Sequence, residues 1–162
     1  MLLIPSAADL KDPIPRTFTP VFWNPQMKNM QVSMTMGLFC DPAHPALAGF
    51  PTDFHSDWQW WDPVMRSCVL RLDAFPAALR PIVRVVDSFV GNRNLMLIFE
   101  AKVGAGRMVV CGADIVTDLP SRHAARQLRT SLLDYMTSDL FLPDVPVAEA
   151  AIDGLFNSSL IH

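Results

Sequence analysis

Apolar positions run in short β-type blocks through the middle of the chain and switch to a helical period near its end. Met65–Leu72 sets Cys68, Leu70 and Leu72 against Ser67, Val69 and Arg71, and this alternation predicts a strand. Pro81–Phe89 is rich in β-branched residues (Ile82, Val83, Val85, Val86) and predicts another. Leu95–Lys102 and Arg107–Gly112 flank Val103-Gly104-Ala105-Gly106, whose glycines permit positive φ, so this pair is a hairpin. Leu2–Ile4 and Thr35–Cys40 are shorter strands, the second running out at Asp41-Pro42. His44–Pro51 carries prolines at both ends and has room for one helical turn at most. In Ser121–Ser138, Ala125, Leu128, Leu132 and Met136 share one face, which predicts a helix. Ser121 is its expected cap, and Arg122, Arg126 and Arg129 form an expected solvated face. Pro143 and Pro146 precede a short helix expected around Val147–Phe156.

These elements predict one α/β domain over residues 1–162, with a layered sheet and a long helix near the end. Its parts are an extended Pro-rich stretch at 1–33, a core at 34–142 and a tail at 143–162. Pro5, Pro13, Pro15, Pro20 and Pro25 keep the first part extended, with Phe18–Trp23 laid across a surface or edge. An open α/β sheet usually begins with several βα units. None precedes residue 34, so the expectation is a chain cut from a longer one, with the front of the sheet upstream.

Composition narrows the function. The chain has 162 residues, enough for one well-buried core, and half of them are apolar (51%). A net charge of −3 without a basic run argues against a nucleic-acid partner. Every apolar stretch is short and broken by a charge, Gly or Pro, so no membrane span is expected. Cys40, Cys68 and Cys111 lack CxxC spacing and read as free buried thiols rather than a zinc site or a disulfide framework. Neither a metal nor a cofactor is expected. The Gly104-Ala105-Gly106 turn joins strand to strand, whereas a dinucleotide fingerprint joins strand to helix.

The candidate chemistry lies in Phe50–Asp62, which holds three of the four tryptophans: Trp58, Trp60 and Trp61. Large flat indole faces pack cores and interfaces, and they also stack on sugar rings. Asp53, His55 and Asp57 share one side if the segment is extended, and a histidine between carboxylates can bind a metal or act as a base. A hydrogen-bonded structural cluster is the simpler reading. Cys40 ends a strand close to Asp41 and His44, but Leu38-Phe39-Cys40-Asp41-Pro42 lacks the small residues of a nucleophile elbow. The acidic residues are scattered and form no glycosidase pair, so no catalytic residue is assigned.

Several motifs in order resemble a known family. They are Phe18–Asn24, Thr35–Leu47, Phe50–Trp61, Pro81–Asp87, Asn92–Gly104 and Ala124–Leu132, and together they look like the C-terminal region of bacterial family 2 glycoside hydrolases, β-galactosidase-like proteins. The resemblance covers roughly residues 1–142. It implies a class I glutamine amidotransferase-like, or flavodoxin-like, layered sheet that follows a catalytic barrel. The barrel carries the catalytic glutamates in that family, and none of its motifs is present here. The implied role is a non-catalytic ancillary domain in carbohydrate degradation, packing against other domains of a parent glycosidase or in a homo-oligomer, and contacting substrate. Such parents are often exported or periplasmic, while this chain shows no signal segment. Two alternatives stay open: a carbohydrate-binding module using Trp58, Trp60 and Trp61, and a small enzyme centred on Cys40 and His55 with Asp53 and Asp57.

Overall fold

A computed structural model describes residues 1–15, 35–88 and 91–157. Phe18–Asn24, Trp23 included, lies outside the described residues, as does the end of the strand expected to reach Phe89.

Seven strands are described: β1 (Leu2–Leu3), β2 (Ile14–Pro15), β3 (Thr35–Cys40), β4 (Cys68–Arg71), β5 (Val83–Asp87), β6 (Leu95–Val103) and β7 (Gly106–Cys111). The helices are α1 (Trp61–Met65), α2 (His123–Thr137) and α3 (Glu149–Asp153), with single 3₁₀ turns at Pro45–Leu47 and Trp58–Trp60. The hairpin β6–β7 pairs from Ile98↔Cys111 to Val103↔Gly106, and Gly104 at its turn has φ +55°.

β6 organises the sheet. Along one edge it pairs first with β4, at Arg71↔Leu95 and Leu70↔Met96, and then with β7 from Ile98 onward. The handover falls at Gly112, whose N–H donates to Leu97 O while its carbonyl accepts from Cys68 N, both at 2.8 Å. A Cβ at Gly112 would stand 2.1 Å from the Cys68 carbonyl oxygen, so only glycine lets the two backbones meet. On the other edge β5 pairs with the front of β6, and Lys102 exchanges hydrogen bonds with Val145 and Val147 at its back. β3 lies outside β5, β2 outside β4 and β1 outside β7. β1–β7 is parallel and the other strand pairs are antiparallel. The result is a mixed sheet with helices packed on it, an α/β architecture.

The register of β5 on β6 jumps from Val83↔Ile98 to Arg84↔Met96, which leaves Leu97 as an extra residue. The bulge resets the alternation of side chains. Leu95, the bulged Leu97 and Ile98 share one face, where α2, the 45–47 turn and Trp60 close the larger core. Met96, Phe99 and Ala101 face the other side, with Phe75, Leu79, Val147 and Ile152. A strand buried on both faces reads as a continuous apolar run, as Leu95–Phe99 does.

α2 docks through polar as well as apolar contacts. Its Ala125, Leu128 and Leu132 are buried as the period requires, and Met136 is half-buried. The buried Ser131 hydroxyl donates to Ala46 O (2.7 Å) and accepts from Gly49 N (3.0 Å), tying α2 to the 45–49 turn. Tyr135 donates to Glu100 on β6 (2.5 Å). Burial first, then the carboxylate neighbour, pushes the Tyr135 phenol above its ordinary range.

The sequence expectation fails at two places on α2. Ser121 does not cap it: its hydroxyl donates to Asp118 O, and the N-cap position is Arg122. Nor is Arg122 solvated; it is 5% exposed. It precedes the first helical turn, so the helical face that carries Arg126 does not govern where it points.

Candidate functional site

The tryptophans of the Trp-rich segment stand on a helical turn, 58–65, while 53–57 ahead of it is not helical and bridges β3 at His55. Asp57 opens the turn, its carboxylate accepting from Gln59 N at 3.1 Å. Three residues per 3₁₀ turn place Trp58 and Trp61 above one another, and the α-helical continuation adds Met65 four residues further along. All three point outward: Trp58 is 86% exposed, and Trp61 and Met65 are each 47% exposed. The indoles of Trp58 and Trp61 lie 6.1 Å apart with 45° between their planes. Trp60 and Val64 take the opposite side and are fully buried. Trp60 packs edge-on to Phe50 at 4.8 Å, and its Nε1–H donates to Thr52 Oγ1 at 2.7 Å. Gln59 Nε2 donates to Pro51 O. The three tryptophans therefore split into one anchor and two exposed rings.

The segment before the turn lines the outer edge of β3. Cys40 N donates to Phe54 O (3.1 Å), and Phe39 pairs with His55 as an isolated antiparallel bridge. Phe39 and Phe54 are both exposed, and the Phe54 ring stands edge-on to His55 at 4.9 Å.

Asp53, His55 and Asp57 do not come together as a metal or base cluster. Asp57 is engaged as the cap, His55 Nδ1 lies 3.2 Å from Ser56 O, and the Asp53 carbonyl accepts from Cys40 Sγ (3.3 Å) and Thr52 Oγ1 (3.0 Å). Among the described residues no group of three or more His, Cys, Asp or Glu side chains is placed to hold a metal ion. Cys40 is only half-buried, whereas Cys68 and Cys111 are buried, and all three are free. Burial, with the charges of Asp57 and Asp41 adding to it and a hydrogen bond from Thr52 opposing, pushes the Cys40 thiol up. A nucleophilic cysteine needs the opposite shift.

The site contains a feature that spacing did not reveal. Arg122 reaches back 60 residues to Asp62 on α1, with Nε at 2.8 and 3.1 Å from the two carboxylate oxygens. Its Nη1 donates to Thr117 O (2.9 Å) and stands 3.3 Å from Asp114 Oδ2. Burial raises the Asp114 carboxyl, but hydrogen bonds from Thr117 and Val116 and the charge of Arg122 outweigh it and hold the group below its ordinary range. Arg122 Nη2 is buried without a partner. One guanidinium thus joins the helix bearing Trp61 and Met65 to the 114–117 loop. No local spacing signals a contact made across 60 residues.

No helix among the described residues is long and apolar enough to cross a membrane. The chain belongs to the family described as a domain of unknown function (DUF8487), whose model matches residues 1–157. No curated protein matches it.

Proposed function

We propose that the chain is a non-catalytic ancillary module of a family 2 glycoside hydrolase that packs against the rest of that enzyme through its aromatic ridge. The observation that carries this reading is the ridge itself, with Trp58 86% exposed beside a half-exposed Trp61 on a turn pinned by the buried Trp60. Covering one indole removes 150–250 Å² from water, worth roughly 4–6 kcal/mol at about 25 cal/mol per Å² before ordering costs. Single exposed apolar residues are ordinary, but two neighbouring indoles with Met65 one turn further along have the composition of an interface core. The glycosidase parent is supported by the ordered motifs from Phe18 to Leu132.

The carboxylates favour a non-catalytic role. Asp62 and Asp114 pair with Arg122, Asp118 with Arg66, Asp57 caps a turn and Glu100 accepts from Tyr135. Glycoside hydrolysis needs two carboxyl groups flanking an open space. The finer, amidotransferase-like or flavodoxin-like version of the fold has β1–β7 in its favour, because such sheets are parallel. The antiparallel pairs around β5 and β6 weigh against it.

The test begins with the flanking gene sequence, where the frame is expected to continue upstream into a glycosidase barrel. That upstream part, produced separately, is then mixed with this chain in sedimentation velocity. Wild type is expected to bind, with Trp58→Ser weakening binding tenfold or more. An independent frame with no glycosidase region overturns the reading.

The near-complete exposure of Trp58 also favours a second reading, sugar stacking on the indoles. The 45° tilt gives a bent platform, one sugar ring per indole. Titration of galactosides and plant oligosaccharides against wild type, Trp58→Ala and Trp61→Ala tests it, and absence of saturable binding to wild type sinks it.

A further inference from the structure

A cleft of about 620 Å³ opens at the carboxyl end of the parallel pair β1–β7, with Met65 of the Trp58–Trp61–Met65 ridge on its rim. Its walls come from the chain just after β1 (Ile4–Ala7), the end of α1, the start of β4 and the loop after β7. In open α/β sheets the crevice beyond the carboxyl ends of parallel strands is where ligands bind, because diverging loops leave a space there that the sheet cannot fill. The volume lies within the range of small-molecule sites.

We propose that this cleft binds a neutral, hydroxyl-rich ligand of one or two sugar-sized rings. The lining supports that class. Its formal charges are Arg66 and Asp114, which cancel, and Arg66 is further offset by Asp118 at 2.9 Å. An anionic ligand would find no unbalanced cation here. The Ser6 hydroxyl donates to Asp9 (2.6 Å) and the Ser67 hydroxyl to Val64 O (2.7 Å), so each has its proton engaged and can only accept from a ligand. A guanidinium carries five N–H donors, more than Asp118 consumes. Ligand hydroxyls, which donate and accept, suit that combination. Met65 and Val116 add exposed apolar surface for a ring face.

The cleft is open to solvent, and backbone contacts fix its frame. Gly112 brings its backbone against Cys68 at the floor. Arg122 fixes the wall from behind by holding Thr117 O and Asp114. The proposal stands apart from the interface reading and locates the sugar-stacking reading one helical turn further along.

The test is isothermal titration of the full chain with lactose, cellobiose and xylobiose, and with glucuronate and glucosamine as charged probes. Ala7 is exposed on the rim, so Ala7→Trp fills the cleft without touching the core. Val116→Trp is a second blocking variant should the first fail to fold, with circular dichroism as the control. Saturable binding of a neutral disaccharide is expected, at least tenfold weaker in the blocked variant and less than threefold weaker in Trp58→Ala. Three results overturn the proposal: no saturable binding to any neutral probe, unchanged affinity in the blocked variants, or tighter binding of glucuronate or glucosamine. Binding lost in Trp58→Ala but kept in Ala7→Trp moves the sugar to the ridge and refutes the cleft.

Discussion

Replacing Arg122 with methionine isolates the one charged side chain buried at the join between α1, the 114–117 loop and α2. Methionine keeps most of the stem volume and removes the fork. The loss comprises the paired contacts to Asp62, the bond to Thr117 O and the approach to Asp114. A hydrogen bond to a charged group is worth about 1.5–3 kcal/mol, and breaking a fully buried pair costs about 3–5 kcal/mol. The full figure does not apply here. Asp62 and Asp114 keep 35% and 28% of their side-chain surface in water and rehydrate once freed. The unpartnered Nη2 is also removed, which returns part of the loss. The expected net cost is about 2–3 kcal/mol. Urea unfolding followed by circular dichroism reads it as a midpoint lowered by roughly 1 M at an unchanged slope of 1–3 kcal/mol per M. Arg66→Met is the control, because its pair with Asp118 is exposed on both sides, and it is expected to leave the midpoint where it was. A midpoint for Arg122→Met within error of wild type refutes the reasoning.

Three further outcomes are expected. Burial raises the Asp87 carboxyl, but the Arg93 side chain at 2.7 and 2.8 Å, the Arg93 and Ser88 amides and the Arg93 charge outweigh it and hold the group below its ordinary range. A depressed folded-state value contributes stability that is present above about pH 4 and lost as pH falls through that depressed value. Asp87→Asn should therefore cost about 1–2 kcal/mol at pH 7, with the gap to wild type closing in acid; a gap constant from pH 7 to pH 2 refutes this. Burial lifts Cys68 to about 11 and Cys111 to about 12, and Cys40 alone is half-buried. Mass spectrometry after iodoacetamide at pH 8 should find slow labelling at Cys40 in the native chain and all three sites only in urea; native labelling of Cys111 as fast as Cys40 refutes it. Gly112→Ala places a Cβ 2.1 Å from a backbone oxygen that cannot swing away, so it should abolish cooperative unfolding or leave little soluble chain; a wild-type melting curve contradicts the strand handover.

The sheet core was legible because its signals are local. The apolar runs either side of the Gly104 turn place β6–β7 within a residue of the expected hairpin, and Asp41-Pro42 ends β3 where expected. The Trp-rich segment mixes two local patterns. The spacing of two at 53, 55 and 57 belongs to the part that bridges β3 at His55, whereas 58, 61 and 65 outside against 60 and 64 inside is the mark of a tight helix. Arg122 and Glu100 were not legible. Their partners Asp62 and Tyr135 lie 60 and 35 residues away, and no local pattern reports a contact set by how two elements dock.

The handover on β6 ties the fold to the site. A nine-residue strand is too long for either β7 or β4 to cover alone, and the bulge at Leu97 bends it at the point where one neighbour must leave and the other arrive. Gly112 closes the backbone gap at that point. The chain leaving β7 then diverges from the chain entering β4, and α1 is brought in from one side by Arg122. A cleft is the geometric remainder of that divergence, and its rim is the helical turn on which Trp61 and Met65 stand. Trp60, buried beneath them, sets the direction in which both project, so the anchor at residue 60 governs the exposed surface as directly as the exposed residues do.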